Sequence, residues 1–181
     1  MKKVLIIVLL ATLIVQCEKE NSYFLAKGQV GKITSLTQVQ ELESIFEKDS
    51  LVSHIGEGGF ADANYDEYLV YNTLGEHLLT IIPKEQHDST STIESIQIIN
   101  DKYKTIKGLG LSSTFQDIVN EYSVNKVEST FTTAVLFVDE LDATIIIDKK
   151  ELGINDFGIQ KISLAQIPDL AKIKAITLWF D

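Results

Sequence analysis

Residue types able to do chemistry are scattered along this chain, and their spacing decides how far each can be taken. Cys17 is the one cysteine. A thiol attacks or ligates as the thiolate, which forms at neutral pH only in a folded, electropositive setting. Cys17 lies in LIVQCEKE, Leu13 to Glu20, where an apolar run gives way to charge. That is a leader and no scaffold, so catalysis by this thiol is not expected. The histidines are His54, His77 and His87, the residue type for acid–base work near neutral pH and for zinc. No HxxxH pair or His/Cys cluster joins them, so they read as surface histidines. His87 and Asp88 fall in an expected hairpin loop from Pro83 to Thr92, and His77 at a strand start.

Two further patterns raise questions of ligand binding. Asp62-Ala63-Asn64-Tyr65-Asp66 has the D-x-N-x-D opening of a calcium loop. The next position is Glu67 where glycine is required, and the twelfth is Thr73 where a bidentate Glu belongs. The expectation is therefore a solvated loop entering a strand, with no metal and no cofactor; the alternative is a loose oxygen cluster of the weak kind found in extracellular calcium sites. Gly56-Glu57-Gly58-Gly59 lacks the lysine and spacing of a phosphate loop, and Glu57 would repel a phosphate. Gly108-Leu109-Gly110 before Ser112-Ser113 is better shaped for an anion, but capping of a following helix accounts for it. There is no G-x-S-x-G elbow, and one sequence cannot say which carboxylates face each other. No catalytic residue is assigned.

The segment around Cys17 speaks to address. Met1-Lys2-Lys3 is a positive n-region, and Val4 to Val15 is apolar apart from Thr12. That run is short of the roughly 20 residues a spanning helix needs and has the length of a secretory h-region, roughly 7–15 residues. The nearest small-x-small cleavage site, Ala26-Lys27-Gly28, lies beyond the charged Glu18-Lys19-Glu20. Ile14-Val15-Gln16-Cys17 resembles a bacterial lipoprotein signal of the Bacteroidetes type, departing at Gln16, where Gly, Ala or Ser is usual. The resemblance implies cleavage before Cys17, a diacylglycerol thioether on its sulfur and an acylated amine. It makes residues 1–16 a signal peptide and residues 17–27 a lipidated tether. Two or three acyl chains anchor firmly, since each buried CH₂ contributes about 0.8 kcal/mol. The location implied is the bacterial outer membrane, on its periplasmic side or at the cell surface. Glu18-Lys19-Glu20 resembles, with one charge reversed, the acidic patch that routes some such lipoproteins outward.

Charge narrows the partners. The chain carries −10, with 16 lysines and no arginine. Removing Lys2 and Lys3 leaves 14 basic against 26 acidic residues, or −12. Nucleic acid is not a partner, because its binding needs a basic footprint. Anionic headgroups would repel this surface, so the membrane is reached through the lipid. With no cysteine after Cys17 the domain forms no internal disulfide and depends on its core.

The elements that must position any site follow from an internal echo. Thr37-Gln38-Val39-Gln40-Glu41-Leu42 matches Ser113-Thr114-Phe115-Gln116-Asp117-Ile118 at an offset of 76. Both carry a hydroxyl-x-x-Gln capping pattern followed by an acid near the positive helix end. Phe115, Ile118, Val119 and Tyr122 predict a buried helical stripe. Strands are predicted at Tyr68–Asn72, Leu78–Ile82 and Ile93–Ile99, then at Ala134–Val138, Ala143–Ile147 and Ile173–Phe180, from their β-branched content and turns. Echoes recur at Leu79–Ile82 with Ala143–Ile146 and at Ile93–Ile96 with Ile173–Ile176. The expected fold is α+β: two repeated units of one helix plus about three antiparallel strands, residues 28–100 and 101–181, helices on one sheet face. Duplication and shared α+β grammar both explain the echoes. The arrangement loosely resembles β-lactamase-inhibitor-protein folds and small lipoproteins of the outer-membrane barrel-assembly machinery, which implies protein binding and carries no site residue.

Two functions follow as expectations. The first is a non-enzymatic, lipid-anchored module holding an envelope protein or ligand, marked by an exposed aromatic patch including residues such as Phe60, Tyr65 or Tyr68. The alternative is a small envelope hydrolase using carboxylates and one histidine, marked by a pocket gathering them.

Overall fold

The computed structural model describes residues 22–56, 65–154, 158–159 and 161–180. Its dominant feature is an eight-stranded antiparallel sheet. The strands are β4 (Ser50–His54), β5 (Glu67–Tyr71), β6 (His77–Pro83), β7 (Ile93–Ile98), β9 (Lys126–Ser129), β10 (Thr133–Val138), β11 (Ala143–Asp148) and β12 (Ile173–Trp179). Their order is β4-β5-β6-β7-β12-β11-β10-β9, so two four-stranded meanders meet at the β7–β12 pair. A smaller sheet, β3-β2-β1-β8, is built from β1 (Phe24–Ala26), β2 (Gln29–Val30), β3 (Ile33–Thr34) and β8 (Lys104–Thr105). Within it β1 and β8 run parallel.

Register explains why this sequence makes this sheet. One transverse row runs Leu51, Val70, Leu79, Ile98, Ile176, Ile145, Leu136, Val127 across all eight strands. Every member is apolar, and the six central ones are buried. A one-residue slip in any strand would turn its apolar set to the other face. At about 1.5–3 kcal/mol for each buried Leu, Ile or Val side chain, this row alone specifies the pairing. Leu25, Val30, Ile33, Leu42, Tyr103, Phe115 and Ile118 join the same core.

The expected α+β helix-plus-strand units are not what forms. The chain is mostly β, and its helices are short: α1 (Leu42–Ile45), after a 3₁₀ turn at Val39–Glu41, and α2 (Phe115–Glu121). α2 has seven residues. It stops because Tyr122 is already extended, with φ −139° and ψ 149°, and Ser123-Val124-Asn125 has poor helix propensity. The buried stripe is accordingly narrower than predicted: Phe115, Ile118 and Tyr122 are buried, whereas Val119 is 42% exposed. The capping boxes sit one residue later than the hydroxyl-x-x-Gln reading. Thr114 pairs with Asp117 and Gln38 with Glu41, so the partner is the acid and not the glutamine. Two strands, β4 and β9, have too little apolar periodicity to stand out in the sequence. They border the sheet, where only one neighbour dictates the pattern.

The echoing segments lie at matching places in the two meanders. Val39 N–H donates to the Ser91 carbonyl and Phe115 N–H to the Ala171 carbonyl. Gln38 bridges Thr92 and Thr114 bridges Lys172. The β6–β7 and β11–β12 pairs, one on each side of the central β7–β12 pair, carry register shifts at the echoing positions, between Ile82 and Pro83 and between Ile146 and Ile147.

Candidate functional site: the outer face of the large sheet

Residues of opposite phase to the core row form the other face of the sheet. Its central row reads Val52, Leu69, Thr80, Gln97, Thr177, Thr144, Phe137, Lys126. Of these, Thr80 is buried, and the rest are half-buried or exposed. The face is most accessible toward its two borders and is closed in the middle, where Thr80, Ser95 and Ala175 are buried. β10 explains part of this, since Thr133–Val138 is apolar at both phases. Ala134, Leu136 and Val138 are spent on the core, which leaves Val135 and Phe137 for the outer side.

Trp179 and Phe137 flank Thr144 on this face and, with Val135, Ala143, Asp139 and Asp142, line a slot of about 550 Å³. It is a shallow hollow, open to solvent along the sheet face. Trp179 is 41% exposed, and its indole N–H donates to Thr144 Oγ1 at 3.1 Å. Its polar edge is satisfied while much of the ring remains available. Lys126 Nζ lies 5.2 Å from the centre of the Phe137 ring. At the hairpin end Asp142 accepts from Lys27 Nζ at 2.8 Å, and Asp142 has φ +48°. The Asp139 carboxylate accepts no hydrogen bond among the described residues. The arrangement can clasp an apolar or aromatic group between two rings and offer one carboxylate to a donor beside it.

The histidines are not brought together. His54 Nδ1 lies 3.1 Å from Glu67 Oε1 at the β4 edge. His77 stacks on Tyr71 with ring centres 4.7 Å apart. His87, with φ +58°, lies 3.4 Å from Asp66 through Nδ1. This last pair is the carboxylate–histidine contact an acid–base site would want, yet the carboxylate is committed elsewhere. Asp66 is 1% exposed and accepts from the backbone N–H groups of Gly56 at 2.9 Å and His87 at 2.5 Å, while its own N–H donates to Gln86 Oε1. Burial pushes the Asp66 carboxyl up, but these backbone bonds and the His87 charge outweigh it and hold it below the usual carboxylate range. Asp66 therefore fastens two loops together and is not free to ligate a cation.

Asp62, Ala63, Asn64, Glu57, Gly58, Gly59 and Phe60 lie outside the described residues, as does Cys17. Among the described residues no three of His, Cys, Asp and Glu gather as a metal site. Tyr65 is 63% exposed; Tyr68 is half-buried and pairs with Ile81 of the core phase. Of the expected patch Tyr65 is on the surface; Phe131 is 62% exposed in the β9–β10 turn, and on the outer face of the sheet Trp179 is exposed and Phe137 half-buried. Ser113 Oγ accepts from Gly110 N–H at 3.2 Å, so the Gly108–Gly110 loop closes on itself. No described helix is long and apolar enough to cross a membrane.

No protein-family model matches the chain, and no curated protein matches it. Among solved structures, that of the uncharacterised protein YfeY from Escherichia coli is similar. The TM-score is 0.52 at 15% identity, over 87% of this chain and 99% of that one. At that identity the likeness is one of fold.

Proposed function

We propose that this chain is a lipid-anchored protein of the bacterial cell envelope. It acts as a non-enzymatic binding module, holding a partner protein or envelope ligand against the outer face of its large sheet. The observation that carries the reading is the Trp179–Phe137 slot. A monomeric domain gains nothing in stability by leaving an indole and a phenyl ring accessible on a sheet face. Aromatic anchors of this kind dominate the energetics of recognition when a partner desolvates them. The resemblance of Ile14–Cys17 to a lipoprotein signal supports the anchor, which would hold the domain near the membrane with the slot facing the aqueous envelope.

The test is affinity capture from detergent-solubilised envelope, comparing the wild-type chain with a Phe137→Ser/Trp179→Ser variant of unchanged thermal midpoint. A protein or glycan retained by the first and lost from the second is the expected result. Identical captures by the two chains would dismiss the outer face as the binding surface.

A further inference from the structure

On the opposite side of the large sheet, the small sheet and α1 enclose a cleft of about 160 Å³. Val30, Ile45 and Leu78 form its apolar part. Tyr103 reaches in from the loop before β8 and is 2% exposed. Its ring meets that of Tyr23 edge-on, with centres 5.2 Å apart. A tyrosine this deeply buried ordinarily finds a hydrogen-bond partner for its hydroxyl. Among the described residues the Tyr103 hydroxyl has none. None of those residues leaves a fully enclosed side-chain polar atom unpartnered, so this hydroxyl opens onto the cleft. Gly31, with φ +56°, lets the chain at Ser22 close tightly over this wall, since a Cβ there would lie 2.6 Å from the Ser22 carbonyl oxygen.

The rim adds charge of both signs, Lys48 with Glu47 and Asp49. Asp49 lines the same cleft, and its charge, after burial and the Tyr23 hydroxyl, helps push the Tyr103 hydroxyl well above the usual tyrosine range. A ligand bearing one charge would be attracted by part of this rim and repelled by the rest. A molecule carrying an ammonium and an anion a few bonds apart is attracted at both ends. The space is close to that of an engineered cavity of about 150 Å³ that accepts benzene. It limits the body of such a molecule to a short branched chain or a single ring.

We propose that this cleft is a binding site for a small zwitterion, in which the Tyr103 hydroxyl hydrogen-bonds the anionic end and Asp49 takes the ammonium. Free amino acids and the phosphoethanolamine headgroup of envelope lipids share that chemistry. The site is separate from the outer-face slot and does not depend on it.

Saturation-transfer NMR on the full chain in detergent micelles tests this, with leucine and phosphoethanolamine as zwitterionic probes. Isobutylamine and isovalerate, each carrying one of the charges, are the controls. At least one zwitterion should saturate, with each control weaker by about tenfold or more, the equivalent of one lost charge contact. Leucine as the tighter probe assigns the site to free amino acids; phosphoethanolamine assigns it to the headgroup. Tyr103→Phe, which keeps the ring and its packing, should weaken the bound probe about 3- to 10-fold. Asp49→Asn should weaken it and narrow the margin over isovalerate. A cleft that merely holds water would show no saturable probe, or equal binding by the wild type and Tyr103→Phe, and either result overturns the proposal.

Discussion

Asp66 shows how much one buried carboxylate can do without catalysing anything. Its bonds to the Gly56 and His87 N–H groups tie the β4–β5 connection to the β6–β7 hairpin. Asp66→Asn keeps one acceptor oxygen and loses the charge, so it should destabilise the fold by about 1–3 kcal/mol in urea unfolding. The sign of the pH dependence follows from the depressed carboxyl. The stability Asp66 contributes is complete above the unfolded-chain value, about 3.9, and is lost as pH falls through the lower folded value. Urea midpoints between about pH 6 and pH 3 should therefore fall more steeply for the wild type than for Asp66→Asn. Parallel curves would show that the carboxylate is not charged in the fold. The sequence displayed Asp66 only as the end of a broken calcium pattern. Its role depends on His87, which lies 21 residues away and is brought near by a hairpin that no local motif encodes.

Each short helix acts as a plug in the core beneath the sheet, and its cost of removal should follow burial more closely than sequence pattern. Leu42 and Ile118 are both fully buried. Truncation of either to Ala should cost roughly 2–5 kcal/mol, the transfer-plus-cavity penalty. Val119, which the helical period put in the stripe, is exposed and should tolerate Ala within about 0.5 kcal/mol. Thr114 is the N-cap of α2, accepting from Asp117 N–H while Asp117 accepts from Thr114 N–H at 2.7 Å. Thr114→Ala should cost about 0.5–2 kcal/mol. Urea unfolding of the four variants checks the set, and a silent Leu42→Ala would make the first plug peripheral. The six strands rich in isoleucine, valine and leucine were legible because aliphatic and β-branched runs bounded by turn residues mark a strand whichever phase is buried. The helix lengths were not, because a cap announces a start and nothing in Phe46 or Tyr122 announces so early a stop.

For the whole molecule, the apolar content was read as enough for a packed core, and the sheet provides one. What composition could not reveal was its layering. A strand such as β10, apolar at both phases, reads locally like any buried strand. Only the strand order places it next to the edge strand β9, leaving Val135 and Phe137 accessible on the outer face. The slot was illegible for the same reason, since Phe137, Thr144 and Trp179 meet through pairing of β10, β11 and β12. The described core is built from apolar side chains, so the thermal midpoint is expected to be unchanged by EDTA. A drop of several degrees would reveal a cation holding the fold. The proposed position of the domain at the envelope membrane rests on Cys17, and metabolic labelling with radioactive palmitate tests that most directly. The wild-type chain should incorporate label and Cys17→Ala should not; equal labelling of the two would contradict a lipid anchor at this residue.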